Sequence, residues 1–179
     1  WIPPFLNGVP GVENSLYWQA FNTNKRGITL NLDTDEGRDI FRELVRKADV
    51  VVESFPPGHM AQLGLDYNAL NEVNGKVILT SISPFGQTGP HSKRKGSDLV
   101  CWAMGGLLAQ TGDPDRPPVR ISHVNFAYHM AGADAAWGTA IALYWRGTSG
   151  QGQHVTVSIQ QSIVKTNFMA HEVFEATGK

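Results

Sequence analysis

The feature that most restricts what this chain can fold into is a rhythm of three short apolar runs with helix-length segments between them. Val50-Val51-Val52 is fully apolar and β-branched, the pattern of a short strand buried on both faces of a parallel sheet. Val77-Ile78-Leu79-Thr80-Ser81-Ile82 and His154-Val155-Thr156-Val157-Ser158-Ile159 are the second and third runs. Between the first two, residues 63–73 read as a helix. Between the second and third, residues 98–110 read as a buried helix whose Gly105-Gly106 pair permits close packing. Residues 125–146 read as a long apolar helix dense in Ala and Gly, and 160–176 as a closing helix. Parallel neighbours need crossovers of about this length, so the alternation predicts an α/β fold: a parallel sheet flanked by helices.

Upstream, the alternation Ile28-Thr29-Leu30-Asn31-Leu32 predicts a further strand with three residues facing inward. Asp33 or Thr34 can cap the helix that follows, with Asp35 and Glu36 in its first turn. Ile40, Phe41, Leu44, Val45 and Ala48 then recur at helical spacing as one apolar stripe. Residues 1–20, rich in Pro, Gly and Asn, are expected to be irregular.

Charge removes several function classes. The 179 residues carry 15 Lys and Arg against 16 Asp and Glu, well mixed, so nothing marks nucleic acid or a membrane surface as the main partner. The single Cys101 permits no internal disulfide and fits a reducing compartment, and no apolar run approaches membrane-span length. A cytoplasmic location is the expectation. The six histidines show no i,i+4 pairing and no clustered carboxylates, so no metal site is expected.

Four segments can carry chemistry. Lys25 and Arg26 stand beside Gly27 in a turn that can reach a phosphate, although a solvated basic turn has the same composition. Ser54-Phe55-Pro56-Pro57-Gly58 follows the first apolar run, where open α/β sheets bind ligands; a stiff strand-to-helix turn is the plainer reading. Ser83 to Pro90 holds two glycines whose N–H groups could meet a thioester oxygen or a carboxylate. Lys93-Arg94-Lys95 is the densest basic cluster, a composition ordinary surface loops also show.

Four blocks, read together, carry a resemblance: FNTNKRGITLNL (21–32), ADVVVESFPPG (48–58), ISPFGQTGP (82–90) and ALYWRGTSGQGQHVTVSI (142–159). In order and spacing they resemble the class III CoA-transferases, the family of formyl-CoA and carnitine CoA-transferases and of α-methylacyl-CoA racemase. The resemblance implies a nucleotide-fold-like large domain, of which residues 1–179 would be part. The family's N-terminal strand and its small second domain would lie outside this chain. It implies coenzyme A or an acyl-CoA as substrate with no tightly bound cofactor, a small carboxylic acid as the other substrate, and an intertwined dimer. CoA contacts would fall to Lys25, Arg26, Leu30, Ser54, Phe55, Pro57, Gly58 and Lys95. Ser54 and Pro56 depart from the family's loop, and Gln62 stands where some members carry an arginine for the CoA phosphates.

The largest departure is at the nucleophile. Members attack the acyl-CoA with an Asp carboxylate, which serves first as nucleophile and then as leaving group. In formyl-CoA transferase that Asp precedes a helix Gly by four residues and a later Arg by eighteen. Gly132 and Arg146 match both landmarks, and both counts arrive at Tyr128. A phenol with its ordinary pKa near 10 offers little phenolate at neutral pH. His129 is the other near candidate, Asp134 is expected to face elsewhere, and His123 and His129 flank the position. The racemase needs a His before the buried helix and the later Asp; Ser97 and Tyr128 stand there instead. The resemblance therefore implies a CoA- or acyl-CoA-binding family member that transfers CoA between carboxylic acids, as the non-nucleophilic subunit of a dimer whose partner carries the Asp, or else as a diverged enzyme using Tyr128 or His129. The family's dimer itself can be of like or unlike chains, a homo- or heterodimer. A non-catalytic CoA-binding or scaffolding domain is the alternative, and an acyl-CoA racemase the less favoured one.

Overall fold

The computed structural model describes residues 3–113, 115–120, 124–167 and 169–178. It divides into two compact units, Trp1–Asn31 and Leu32–Lys179.

The first unit is more regular than its composition suggests. An antiparallel bridge joins Phe5 to Ser15, and the Leu6 N–H donates to Asn14 O at 2.7 Å. Ser15 then caps helix α1 (Leu16–Asn22), its Oγ accepting the Trp18 N–H at 3.2 Å. The expectation of an irregular segment over 1–20 is corrected here: one capping serine and seven residues without Pro or Gly suffice for two helical turns. The expected strand at Ile28–Leu32 is also corrected. These residues form neither strand nor helix, and Ile28 is 70% exposed. Alternation yields a strand only where a neighbour takes up its N–H and C=O groups, and among the described residues the sheet ladders join three other segments.

The second unit contains that sheet. Its strands β1 (Val50–Glu53), β2 (Ile78–Ser83) and β3 (His154–Ser158) are all parallel, in the order β1-β2-β3. The α/β prediction holds, and each strand starts and ends within one residue of its apolar run. Helix α2 (Asp35–Val45) begins at Thr34, whose Oγ1 accepts the Gly37 N–H at 3.1 Å. Only part of the expected stripe is covered: Val45 is buried while Ile40 and Leu44 are exposed.

A short helix α3 (His59–Gln62) precedes the segment 63–73, and the helix expected there forms only from Tyr67, as α4 (Tyr67–Val73). Asp66 caps α4 by accepting the Ala69 N–H at 3.0 Å. The buried helix expected over 98–110 is interrupted. Helix α5 (Asp98–Met104) ends at the glycine pair, and a 3₁₀ turn covers Leu107–Gln110. Gly105 permits the close approach: a Cβ there would stand 2.5 Å from Ile163 Cγ2. Helix α6 (Phe126–Ser149) runs unbroken for 24 residues. The closing segment splits into α7 (Ile159–Val164), a 3₁₀ turn and α8 (Ala170–Thr177).

Side chains alternate across a strand, so Leu79 and Thr80 face opposite sides of the sheet. On the Leu79 side, Val45, Met60, Leu65 and Leu70 form one apolar core. On the Thr80 side, Thr80 Oγ1 meets Thr139 Oγ1 of α6 at 2.7 Å. There Cys101, Trp102, Ala127, Ala131 and Ile163 form the second core. The sheet's C-terminal end thus carries the loops 54–58 and 84–97 and the start of α6, the regions in which site residues were sought.

Candidate active site

Within the first unit, Lys25 closes α1. Its Nζ donates to Phe21 O at 2.7 Å and Asn22 Oδ1 at 3.2 Å, a cation placed at a helix C-terminus. Arg26 is exposed and Leu30 is half-buried in the irregular segment that follows.

Within the second unit, the loop Ser54–Gly58 leaves β1 at its C-terminal end. Glu53, the last residue of that strand, is only 9% exposed, yet its carboxylate turns onto the loop: Oε2 accepts the Phe55 N–H at 2.7 Å. The Phe55 ring lies against His59, with ring centres 4.8 Å apart. Gly58 opens α3 with φ of +88°, a left-handed conformation that a side chain would strain. Ser54 is exposed, Pro57 half-buried, and Gln62, where some relatives carry arginine, is exposed at the end of α3. Behind the loop is a cleft of about 150 Å³ lined by Glu53, Pro56, Gly58, Ser81, Gln87 and His154, among others. His154 Nε2 lies 2.9 Å from Ser81 Oγ, and the imidazole stacks on Tyr67. Enclosure of that edge pulls the His154 pKa below its ordinary value, while Glu53 and Asp66 act in the opposite sense.

The segment after β2 folds compactly. Phe85 meets His91 edge-on, and a Cβ on Gly96 would stand 2.6 Å from Pro84 Cβ, so the basic loop lies directly on the Gly-rich block. Lys93, Arg94 and Lys95 are all exposed.

Helix α6 brings Tyr128 into its first turn, and a carboxylate holds that turn. Asn125 occupies the cap position without capping, because its Oδ1 accepts from Arg120 Nη2 at 3.1 Å. Asp98 caps in its place: Oδ1 accepts the Tyr128 N–H at 3.1 Å. Asp98 is 6% exposed, and Arg120 Nη2 stands 3.5 Å from its Oδ2. An anion at this position also matches the positive end of a long helix. The Tyr128 side chain is 41% exposed, and burial of the remainder, together with Cys101 and Asp98, raises its phenol above the ordinary value despite the Asp98 contact. His129 Nδ1 lies 2.6 Å from Asn125 O, which places the proton on Nδ1. Asp134 pairs with Lys165 and does face elsewhere. Cys101 is buried, its thiol pushed up to about 11 by burial and then by Asp98. His123 lies outside the described residues.

Two acids escaped the sequence reading as participants. Asp98 announces itself faintly, as a lone acid opening an apolar helix. Glu53 gives no local signal, because its burial depends on residues far along the chain. Ser97, where the racemase has its His, caps α5 by accepting the Val100 N–H at 3.4 Å. Among the described residues, no group of three His, Cys, Asp or Glu is placed to hold a metal ion.

The described geometry has close relatives. The model of CoA-transferase family III matches residues 3–178. A subunit of succinyl-CoA:(R)-benzylsuccinate CoA-transferase from Thauera aromatica is 39% identical over 99% of this chain and 43% of that protein. The acetyl-CoA:oxalate CoA-transferase of Acetobacter aceti is 40% identical over 93% of this chain and 43% of that protein. A CAIB/BAIF family crystal structure from Brucella suis superposes with a TM-score of 0.89 at 37% identity, over 100% of this chain and 47% of that one. The chain therefore spans less than half the length of the relatives it matches.

Proposed function

The chain belongs to CoA-transferase family III, and on that premise we propose that it belongs to an enzyme transferring CoA between carboxylic acids, in which it is the subunit without the nucleophile. The observation that carries this reading is Tyr128. It occupies the position counted for the family's Asp, in the first turn of α6, and its phenol is raised rather than lowered. Asp98 does not replace the missing group, since both of its oxygens are engaged and it is buried. Among the described residues, His129 is the other near candidate for direct chemistry. A nucleophilic Asp on a partner chain would form the mixed anhydride and then the aspartyl thioester. Two relatives are themselves named as subunits, in Thauera aromatica and Chloroflexus aurantiacus, which supports a multi-chain assembly.

In this reading, residues 1–179 are part of a large CoA-binding domain completed by segments outside the chain. CoA or an acyl-CoA is a substrate rather than a resident cofactor, and a small carboxylic acid is the second substrate. The loops 54–58 and 93–95 of the second unit follow neighbouring strands and are proposed to contact CoA; Lys25, Arg26 and Leu30 of the first unit are proposed as CoA contacts on the family resemblance alone. Among the described residues no helix is long and apolar enough to cross a membrane; the cytoplasm is the proposed location. The rival reading is a CoA-binding scaffold without turnover in any complex.

The deciding experiment is intact mass of the full-length protein, purified with its natural partners, before and after incubation with a panel of acyl-CoAs and then hydroxylamine. The proposal expects an unmodified chain beside a partner that carries the hydroxylamine-sensitive adduct. An adduct on this chain would refute it. CoA binding with no adduct on any chain would favour the scaffold.

A further inference from the structure

Glu53 is an uneconomical residue where it stands. A carboxylate 9% exposed at the end of the edge strand β1 costs desolvation energy, and among the described residues it forms no salt bridge to offset that cost. His154, across the cleft, is the titratable group that feels its charge. Its described hydrogen bond goes forward onto the loop, from the Phe55 N–H at 2.7 Å. The loop needs such a restraint. Pro56 and Gly58 line the cleft of about 150 Å³ instead of packing on the core, so contact beneath them does not set their position. The next backbone restraints, from the His59 N–H to Pro56 O at 3.0 Å and the Gln62 N–H to Gly58 O at 3.0 Å, lie on the α3 side. On the strand side, the Glu53 carboxylate sets where the Phe55 backbone, and with it the ring against His59, comes to rest.

We infer that Glu53 is the positioning residue of the Ser54–Gly58 loop, holding Phe55 through its backbone N–H so that the loop is already in place when the CoA thioester arrives. This rests on the reading that the loop lines the CoA site. Glu53 acts through Phe55 and does not touch CoA. Its effect belongs to CoA affinity and not to the affinity for the free acid. A fixed loop spares the complex the entropy of ordering it on binding.

The test uses the full-length protein with its natural partner and compares Glu53→Ala, Glu53→Asp and Glu53→Gln. CoA affinity is read by calorimetry and the KM values for acyl-CoA and acid by steady-state kinetics. Gln keeps an acceptor oxygen at the same reach, whereas Asp keeps the charge but draws it back by one methylene. The expected result is a CoA Kd raised about tenfold in the Ala and Asp variants, within about threefold of wild type in Gln, and an unchanged KM for the acid. Should the Ala variant fail to fold, the Asp and Gln variants carry the comparison. Wild-type affinity in the Asp variant would overturn the inference while leaving CoA binding by the loop intact. So would a Gln variant as weak as Ala, or a loss of thermal stability with no change in Kd. A wild-type protein that binds no CoA would overturn the loop assignment itself, and this inference with it.

Discussion

Two backbone segments of this molecule are each held by a buried acid, and the two acids are held differently. At the end of β1, Glu53 takes the Phe55 N–H and, among the described residues, forms no salt bridge. At the start of α6, Asp98 takes the Tyr128 N–H with Arg120 on its other oxygen. The first hold is local, two residues along the chain, and stands over a cleft. The second joins positions 30 apart, satisfies an orphan donor of a long helix and closes a network through Asn125. The comparison teaches that the turn carrying Tyr128, the position proposed for the family's nucleophile, is built by an acid from outside the helix.

That contrast can be broken by substitution. Asp98→Ala should have the largest effect, because it strands the Tyr128 N–H and leaves Arg120 beside a buried gap. The expected loss is about 3 kcal/mol in urea unfolding, and a loss no larger than that of Glu53→Ala would end the distinction. Glu53→Ala itself should cost about 1.5 kcal/mol, since water can reach the Phe55 N–H once the carboxylate is gone. Arg120→Gln should cost about 1 kcal/mol, its side chain being more than a third exposed.

The cleft beside Glu53 supplies a pH signature. His154 has a lowered pKa in the folded chain. The unfolded chain therefore takes up its proton first as pH falls below about 6.5. The histidine's contribution is intact above that value, declines as pH falls toward the lower folded value, and then levels off. Melting temperatures recorded from pH 7.5 to 5 should fall less steeply in His154→Gln; parallel curves would remove His154 from the account. The smallest effect is expected of Tyr128→Phe: a stability change within about 0.5 kcal/mol and unaltered turnover in the partnered enzyme. Lost turnover in that variant would restore Tyr128 as a catalytic residue and contradict the silent-subunit reading.

Much of the frame was legible in the sequence for local reasons. Val50-Val51-Val52 and the run from Val77 announce strands by composition alone, and Thr34 announces a helix start because its cap partner is three residues away. Val50-Val51-Val52 is nonetheless an edge strand, whose Val52 is 62% exposed rather than buried as expected. What was not legible depended on distant partners. Ile28–Leu32 alternates like a strand but finds no ladder. The helix expected over 98–110 stops at Gly105-Gly106, where α5 comes against Ile163, nearly 60 residues later. The site divides in the same way. Counting from Gly132 and Arg146 led to Tyr128, but nothing near Tyr128 in sequence pointed to Asp98 as the group that holds it.

Arg146 lies at the opposite end of α6 from Tyr128. Its guanidinium donates to Lys76 O at 3.1 Å, to Asp49 O at 3.3 Å and to Asp49 Oδ1 at 2.8 Å, immediately before β2 and β1. The 24-residue helix, about 36 Å long, is therefore a beam pinned at both ends, by Arg146 where the strands begin and by Asp98 beyond where β2 ends. Such a beam cannot slide along its axis without breaking a pin. Rotation about that axis is opposed as well, by the 2.7 Å contact of Thr139 with Thr80 and by the close seat of Gly138 on Val155, so the Tyr128 turn is fixed in both height and bearing.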